Sequence, residues 1–167
     1  MKNILLGIMI GICLPFALGY LFLINGGIPM NTRAKLLPLE NWIAQKALSI
    51  SYKNEVQSQP PFAVDQAHLR TGAKTYLHNC AGCHGLPNHE PPRFAKGMFP
   101  RPPALFTKEG TVTDDPIGKV YWKTKNGIRL SGMPGYVDNL SDTEIWEVSA
   151  LLVNADKLTD TVKKELR

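Results

Sequence analysis

The sequence lacks several features that would point to other classes of protein. Its 19 Lys and Arg residues give a net charge of +5 but nowhere cluster, whereas a nucleic-acid-binding patch needs about five to eight close together. No internal repeat and no convincing strand pattern occurs along the 167 residues, which favours an all-α chain. No acid–base pair and no nucleophile beside a base is evident, so we expect no independent enzyme activity.

Charge is also absent over a long stretch near the start of the chain. Residues Ile4 to Ile24 form 21 consecutive uncharged positions, and a helix of that length spans roughly 31 Å, about one membrane hydrocarbon core. The stretch therefore predicts an uncleaved membrane anchor. A secretory signal is the alternative, and Ala17-Leu18-Gly19 loosely fits its cleavage site. Cleavage there would leave an exposed apolar end at Tyr20, which favours the anchor.

The rest of the chain divides by composition into a linker and a larger domain. We predict a cytoplasmic N-terminus at 1–3, the transmembrane anchor at 4–24, a linker at 25–60 and the larger domain at 61–167. An amphipathic pattern over 38–52 predicts a short helix in the linker. This helix could pack on the domain, or it could lie at the membrane surface with Trp42 at headgroup depth.

Helix-start and helix-stop signals predict four helices in the larger domain. The first three are marked by a capping residue, a proline in the first turn or a terminal glycine. The helices are predicted over about 65–79 behind Asp65, from Asp114-Asp115-Pro116 to about Asn126 before Gly127, from the Ser141–Glu144 capping box to about Val153, and over 159–166. Loops over 85–110, rich in proline, and over 128–140 connect them.

The most specific pattern in the chain is Cys80-Ala-Gly-Cys83-His84. Two thiols at this spacing can reach the two vinyl groups of one haem as thioethers, and a histidine directly after the second cysteine falls beneath the iron as the proximal ligand. The pattern therefore predicts one covalently bound haem c. We expect His84 to donate its other ring N–H to a backbone carbonyl, around Leu86 or Pro87.

Two other kinds of site also use a pair of cysteines at this spacing. A zinc site would need two more Cys or His ligands, but Cys13 lies in the apolar stretch, and His78 and His89 lack the usual paired spacing. A redox dithiol of the thioredoxin kind belongs in a βαβ context, whereas this segment is predicted to be helical. Both alternatives are therefore disfavoured.

The ligand at the second axial position of the iron distinguishes electron-transfer proteins from haem proteins that bind small ligands. A methionine there occupies the position and favours electron transfer. Met133 lies in a Gly-Met-Pro-Gly turn, 49 residues after His84; the glycines and the proline allow a loop to approach the haem face. Met98, in a Gly-Met-Phe-Pro turn, is the competitor. A histidine is the remaining alternative, although we expect His68, His78 and His89 to be surface or loop residues.

The segment from about 62 to 155 resembles the single-haem class I cytochrome c family. The resemblance rests on Cys80-Ala-Gly-Cys83-His84-Gly85, Tyr121-Trp122-Lys-Thr-Lys-Asn-Gly127, Ile128-Arg129-Leu-Ser-Gly132-Met133-Pro134 and Ser141-Asp-Thr-Glu-Ile145-Trp146. It implies an all-α fold of three to five helices around one haem, with a contact between Tyr76 and Trp146 on the first and last helices. With the added anchor, the chain is similar to membrane-tethered cytochromes associated with respiratory complexes.

Several side chains of this segment could contact the haem propionates. Tyr121, Trp122 and Arg129 could donate hydrogen bonds to them or neutralise them; helix packing and a solvated charge are the alternatives. Arg93 and Arg101, in the proline-rich loop, could cover the same edge of the haem or be solvated.

These patterns together predict a membrane-tethered c-type cytochrome that transfers single electrons between respiratory partners. The expected partners are a quinol-oxidising complex and a terminal oxidase or reductase. A fixed haem subunit of a larger quinol-oxidising or dehydrogenase complex is one alternative, and a haem-based sensor or gas-binding protein is another, against which Met133 argues. Covalent haem attachment takes place outside the cytoplasmic membrane in bacteria, so we expect a single-pass inner-membrane protein with its haem domain in the periplasm.

Overall fold

The computed structural model describes residues 2–167, whose regular secondary structure is helical apart from an isolated β-bridge between Leu86 and His89. The all-α prediction is confirmed. The chain forms two compact units, Met1–Ala44 and Gln45–Arg167. The helices are α1 Lys2–Ile24, α2 Glu40–Ser51, α3 Gln66–Asn79, α4 Ala81–His84, α5 Arg93–Lys96, α6 Ile117–Asn126, α7 Asp142–Val153 and α8 Asp160–Lys164.

Helix α1 contains the predicted apolar span. It has 23 residues and a mean hydropathy of 2.3, and none of its side chains is buried. Within residues 2–167 it is the one helix long and apolar enough to cross a membrane. This length and composition make α1 compatible with membrane anchoring. A signal sequence near an N-terminus passes the same test.

The core of the second unit forms where α3 crosses α7. Gly72 of α3 makes the close approach of these helices possible, because a β-carbon there would overlap the backbone carbonyl of Glu147. Around this crossing lies a cluster of buried apolar side chains: Leu69, Ala73, Tyr76, Val148, Leu151 and Leu152. Each large aliphatic side chain buried here contributes about 1.5–3 kcal/mol. The crossing thus holds the start and the end of the domain together.

The aromatic side chains on these helices have different partners from those that the resemblance implies. The Trp146 ring stacks on Tyr121 of α6, with ring centroids 3.7 Å apart. Tyr76 instead packs edge-on against Phe106, at 5.1 Å. The predicted contact between the two helices is therefore present, but it is made at Gly72 rather than by a Tyr76–Trp146 pair.

Most of the predicted caps have the expected geometry. The Asp65 carboxylate accepts a hydrogen bond from the His68 backbone N–H at 3.0 Å, ahead of α3. Ser141 and Glu144 form the reciprocal capping box of α7. Gly127 ends α6 with φ at 68°, in the left-handed region that glycine adopts without a steric cost.

The start of α6 and the proline-rich loop differ from the prediction. Pro116 is the N-cap of α6 and no side chain caps it; Asp115 instead forms an ion pair with Lys119, at 2.5 Å. The loop over 85–110 also contains α5, a single turn. Proline at a cap position supplies a suitable φ without any side-chain acceptor, so the adjacent acid is free to pair along the helix.

Candidate haem site

A cavity of about 280 Å³ lies in the second unit and gathers the residues of the cysteine motif. Cys80 follows the end of α3, and α4 carries Cys83 and His84 as a single turn. The other parts of the wall come from Gln45 and Leu48 of α2, the loop between α5 and α6, the loop after α6, and the inner faces of α6 and α7. The wall includes Met98, Arg101, Pro103, Leu105, Lys123, Met133, Tyr136 and Leu152.

One turn of chain presents both thiols to this cavity. The backbone N–H groups of Cys83 and His84 both donate to the Cys80 carbonyl, at 3.1 and 3.0 Å. Burial, together with the nearby Cys83 thiol, raises the pKa of the Cys80 thiol to about 12. Reactive and metal-binding cysteines have lowered pKa values instead. The environment therefore suits a neutral thiol and disfavours a redox dithiol.

The His84 ring is held by the proline-rich loop. Its Nδ1 lies 2.8 Å from the Pro103 carbonyl oxygen, and because that oxygen can only accept, Nδ1 carries the proton. Burial lowers the pKa of His84, and the Pro103 carbonyl partly opposes this. The imidazole is therefore neutral, and its Nε2 lone pair is available to a metal.

The partner of His84 differs from the predicted one. A backbone carbonyl was expected, around Leu86 or Pro87, and the carbonyl used is that of Pro103, 19 residues beyond His84. Leu86 is occupied elsewhere, since its N–H and carbonyl both bond to His89. The residues directly after the motif form a turn between Leu86 and His89, and the chain comes back to the His84 ring only at Pro103.

Tyr76 fixes the backbone directly after His84. Its ring is fully buried, and its hydroxyl donates to the Gly85 carbonyl at 2.7 Å. Burial raises the pKa of Tyr76, so the hydroxyl stays protonated and able to donate. Sequence reasoning assigned Tyr76 to helix packing and missed this role; its signal was an aromatic residue one helical turn before Cys80.

The Met133 loop folds tightly against the end of α6. The Ile128 N–H donates to the Met133 carbonyl at 3.2 Å, and the Met133 N–H donates to the Ser131 hydroxyl at 3.1 Å. A β-carbon at Gly127 or Gly135 would overlap backbone atoms across this turn. The two glycines therefore let the loop approach α6, which positions the half-buried Met133 on the cavity wall.

Tyr136 ties the same loop to the cysteine motif. Its hydroxyl donates to the Asn79 carbonyl at 2.6 Å, directly before Cys80. Burial is the main reason why the pKa of Tyr136 rises to about 12. The hydroxyl is therefore a permanent donor, and it joins the two sides of the cavity.

Met98 reaches the same cavity as Met133. Its terminal methyl group packs against Gly132, where a β-carbon would overlap it. Both methionines nominated by the sequence therefore line the wall.

The three predicted propionate contacts lie away from the lining of this cavity. The Tyr121 hydroxyl donates a hydrogen bond to the Asp142 carboxylate and accepts one from the Lys125 ammonium. Trp122 packs edge-on against Tyr52, with centroids 6.3 Å apart, and Arg129 is exposed. Their contacts with propionates remain predictions.

Two other cations line the cavity. Arg101 is one of the two arginines considered in the proline-rich loop, and Lys123 lies on α6. Burial is the main cause that lowers the pKa of Lys123, and the neighbouring Lys119 adds to it. Sequence reasoning missed Lys123, because its place on the inner face of α6 depends on how that helix is rotated.

The remaining histidines make local contacts. His68 stacks on Phe62 at 4.2 Å, His78 contacts the Lys74 carbonyl and His89 the Pro87 carbonyl. Within residues 2–167, no group of three or more His, Cys, Asp or Glu side chains could hold a metal ion. A zinc site built on the two motif cysteines therefore lacks its other ligands in the described part of the chain.

The donors that line the cavity fit a covalently attached haem. Two thiols, an imidazole with a free Nε2 and two thioether side chains share one wall. Thiols form the covalent links, and nitrogen and thioether sulfur are the axial ligands of c-type haem iron. Apolar side chains such as Leu105 and Leu152 complete the wall.

The chain matches a family model described as cytochrome c oxidase, cbb3-type, subunit III, over residues 67–152. The matched region is just over half of the chain and includes the cysteine motif, the Met133 loop and all but the last residue of α7. A comparison with curated proteins finds no match.

Proposed function

The chain belongs to the family of cbb3-type cytochrome c oxidase subunit III, and on that basis we propose that it carries single electrons on one haem c attached at Cys80 and Cys83. It is a c-type cytochrome with a class I cytochrome c fold, and its family function is haem-based electron transfer rather than catalysis. The proposal places His84 and Met133 on the two axial positions of the iron. Bound haem supplies reversible one-electron exchange between ferrous and ferric iron.

One arrangement carries this proposal: Cys80, Cys83 and His84 face one cavity, and the Nδ1 of His84 is held by Pro103. Cys80 and Cys83 would hold the haem through thioether bonds to its two vinyl groups, each formed by addition of the S–H across the double bond without an oxidant. The Pro103 carbonyl keeps the imidazole ring oriented and makes its Nε2 more basic. The Pro103 contact would thereby orient His84 towards the iron.

Met133 is proposed as the distal ligand rather than Met98. Hydrogen bonds at both its N–H and its carbonyl hold the Met133 backbone, which fixes the direction of its side chain. Thioether sulfur favours ferrous iron and raises the reduction potential. A closed position of this kind suits electron transfer and argues against a gas sensor, which would bind carbon monoxide readily.

The covalent attachment is tested by haem staining after denaturing electrophoresis. Wild-type protein is expected to retain the stain, whereas Cys80→Ser and Cys83→Ser lose one thioether each and the double variant loses the stain. Cys13→Ser is the matched control and should stain like the wild type. Full staining of the double variant would refute the attachment.

We further propose that α1 tethers the haem domain to the bacterial inner membrane, with a single pass and the haem domain in the periplasm. The support is the uncharged apolar composition and the exposure of α1, together with the periplasmic site of haem attachment. Membrane fractions should release the haem protein with detergent but not with alkaline carbonate. Release by carbonate would instead indicate a cleaved signal.

The proposed partners are a terminal oxidase and a quinol-oxidising complex. The name of the matching family favours a role in, or next to, an oxidase complex. A free electron shuttle is the first candidate function, and a fixed subunit of the complex is the second. A tether raises the effective concentration of the carrier near its partners. Purification in mild detergent separates the two: a shuttle elutes alone, and a subunit elutes with much larger chains.

A further inference from the structure

The segment Gln45–Ser58, which we name the N-flanking segment, forms part of the haem cavity although it lies outside the matched residues 67–152. It belongs to the same compact unit as the cysteine motif. Gln45 and Leu48 line the cavity beside the motif. Leu48 is half-buried, whereas Ile50 on the same helix is 60% exposed.

A close backbone contact holds the N-flanking segment against α6. Gly118 is buried, and a β-carbon there would overlap the carbonyl oxygen of Glu55 and lie against that of Ser58. The segment is therefore seated directly on the α6 backbone. The Ser58 hydroxyl bonds to the Glu55 carboxylate at 2.8 Å and stiffens this end of the segment.

Tyr52 makes a second, independent contact with α6. Its ring packs edge-on against Trp122, with centroids 6.3 Å apart. The ammonium groups of Lys119 and Lys123 each lie 5.8 Å from the centre of the Tyr52 ring, within the range of a cation–π contact. Lys123 itself lines the cavity, so Tyr52 holds a cation that faces the site.

We propose that the N-flanking segment is a wall of the haem site, and that Leu48 is a positioning residue that excludes water from one side of the haem. The inference rests on the proposed attachment of haem at Cys80 and Cys83. Ferric haem carries one more positive charge than ferrous haem, so excluding water disfavours the ferric state and raises the reduction potential. The chain leading from the anchor thus helps to set the redox properties of the site.

Leu48→Asn in the full-length haem-loaded protein tests this wall. The polar side chain admits water, so we expect a downward shift of the midpoint potential. Ile50→Asn is the matched control on the same helix and should leave the midpoint potential at that of the wild type. If Leu48→Asn fails to fold, Leu48→Ala is measured in its place, with the same direction expected.

Gly118→Ala tests the wall from the opposite side. Alanine favours helix in α6, but its β-carbon displaces the N-flanking segment without touching a motif residue. The same downward shift of the midpoint potential is expected, with haem staining unchanged. A wild-type potential in both Leu48→Asn and Gly118→Ala, in proteins that still stain for haem, would overturn the wall and leave the proposed function standing. Absence of haem from the wild type would overturn the proposed function itself.

Discussion

Tyr76→Phe removes one hydrogen bond beside the proximal ligand and leaves the packing intact. The Tyr76 hydroxyl donates to the Gly85 carbonyl at 2.7 Å, and the ring packs against Phe106. Phenylalanine preserves the ring contact and opens no large cavity. The variant therefore isolates the hydrogen bond and its effect on the residue next to His84.

The expected magnitude follows from the burial of this bond. The hydroxyl is lost in the core, and the Gly85 carbonyl is left without this donor inside a buried turn, which costs about 1–3 kcal/mol. For a domain of this size, each kcal/mol lowers the Tm by roughly 2–8 °C. We expect a lower Tm, and a shift of the midpoint potential because the turn that carries His84 is loosened.

Differential scanning calorimetry and redox titration of the haem protein measure both effects. Tyr52→Phe is the control, because the Tyr52 hydroxyl has no hydrogen-bond partner within residues 2–167 and its ring contacts survive. If Tyr76→Phe loses no more stability than Tyr52→Phe, the hydrogen bond to Gly85 does not hold the proximal turn.

Three further predictions concern the distal ligand, the helix crossing and the response to acid. Met133→Ala should abolish the sulfur–iron charge-transfer band of the ferric spectrum and lower the potential, whereas Met98→Leu should keep the band; the reverse pattern would make Met98 the ligand. Gly72→Ala should destabilise the domain in urea, because overpacking of about 1–3 kcal/mol outweighs a helix-propensity gain of up to about 1 kcal/mol; a stabilised variant would contradict the close crossing. Hydrogen bonds from Tyr121, and then from Lys125, lower the pKa of Asp142 from its ordinary value of 3.8. The contribution of Asp142 to folding stability is therefore present above its ordinary pKa and is lost as the pH falls through its lowered pKa in the folded protein. Asp142→Asn should therefore show a smaller acid-induced drop in Tm than the wild type, and an equal drop would argue against this coupling.

The features predicted well from the sequence depend on near neighbours. The cap at Asp65, the capping box at Ser141 and the end of α6 at Gly127 each involve residues within one helical turn. Capping and left-handed backbone are local properties. The cysteine motif is local for the same reason, since one turn places both thiols on one cavity.

The features that escaped prediction depend on the paths of loops and the rotation of helices. The carbonyl that holds His84 comes from Pro103, and no local rule indicates where a proline-rich loop returns. On α6, Lys123 faces the cavity while Tyr121 turns to Trp146. Both faces of this helix are buried in part, so hydrophobic periodicity does not separate them.

The N-flanking segment shows a related limit. The helical pattern over 38–52, which overlaps this segment, allowed both packing on the domain and contact with a membrane surface. Leu48 and Tyr52 contact the domain, whereas Trp42, roughly two to three helical turns earlier, is 65% exposed. Amphipathicity identifies an apolar face, but it does not say what covers that face.

The number of haem groups that remain bound to the denatured chain tests the central claim most directly. Intact-mass spectrometry of the purified, denatured protein should show the polypeptide plus a single haem, and the mass of the Cys80→Ser/Cys83→Ser variant should be that of the bare polypeptide. A wild-type mass equal to that of the polypeptide alone would contradict covalent attachment at Cys80 and Cys83.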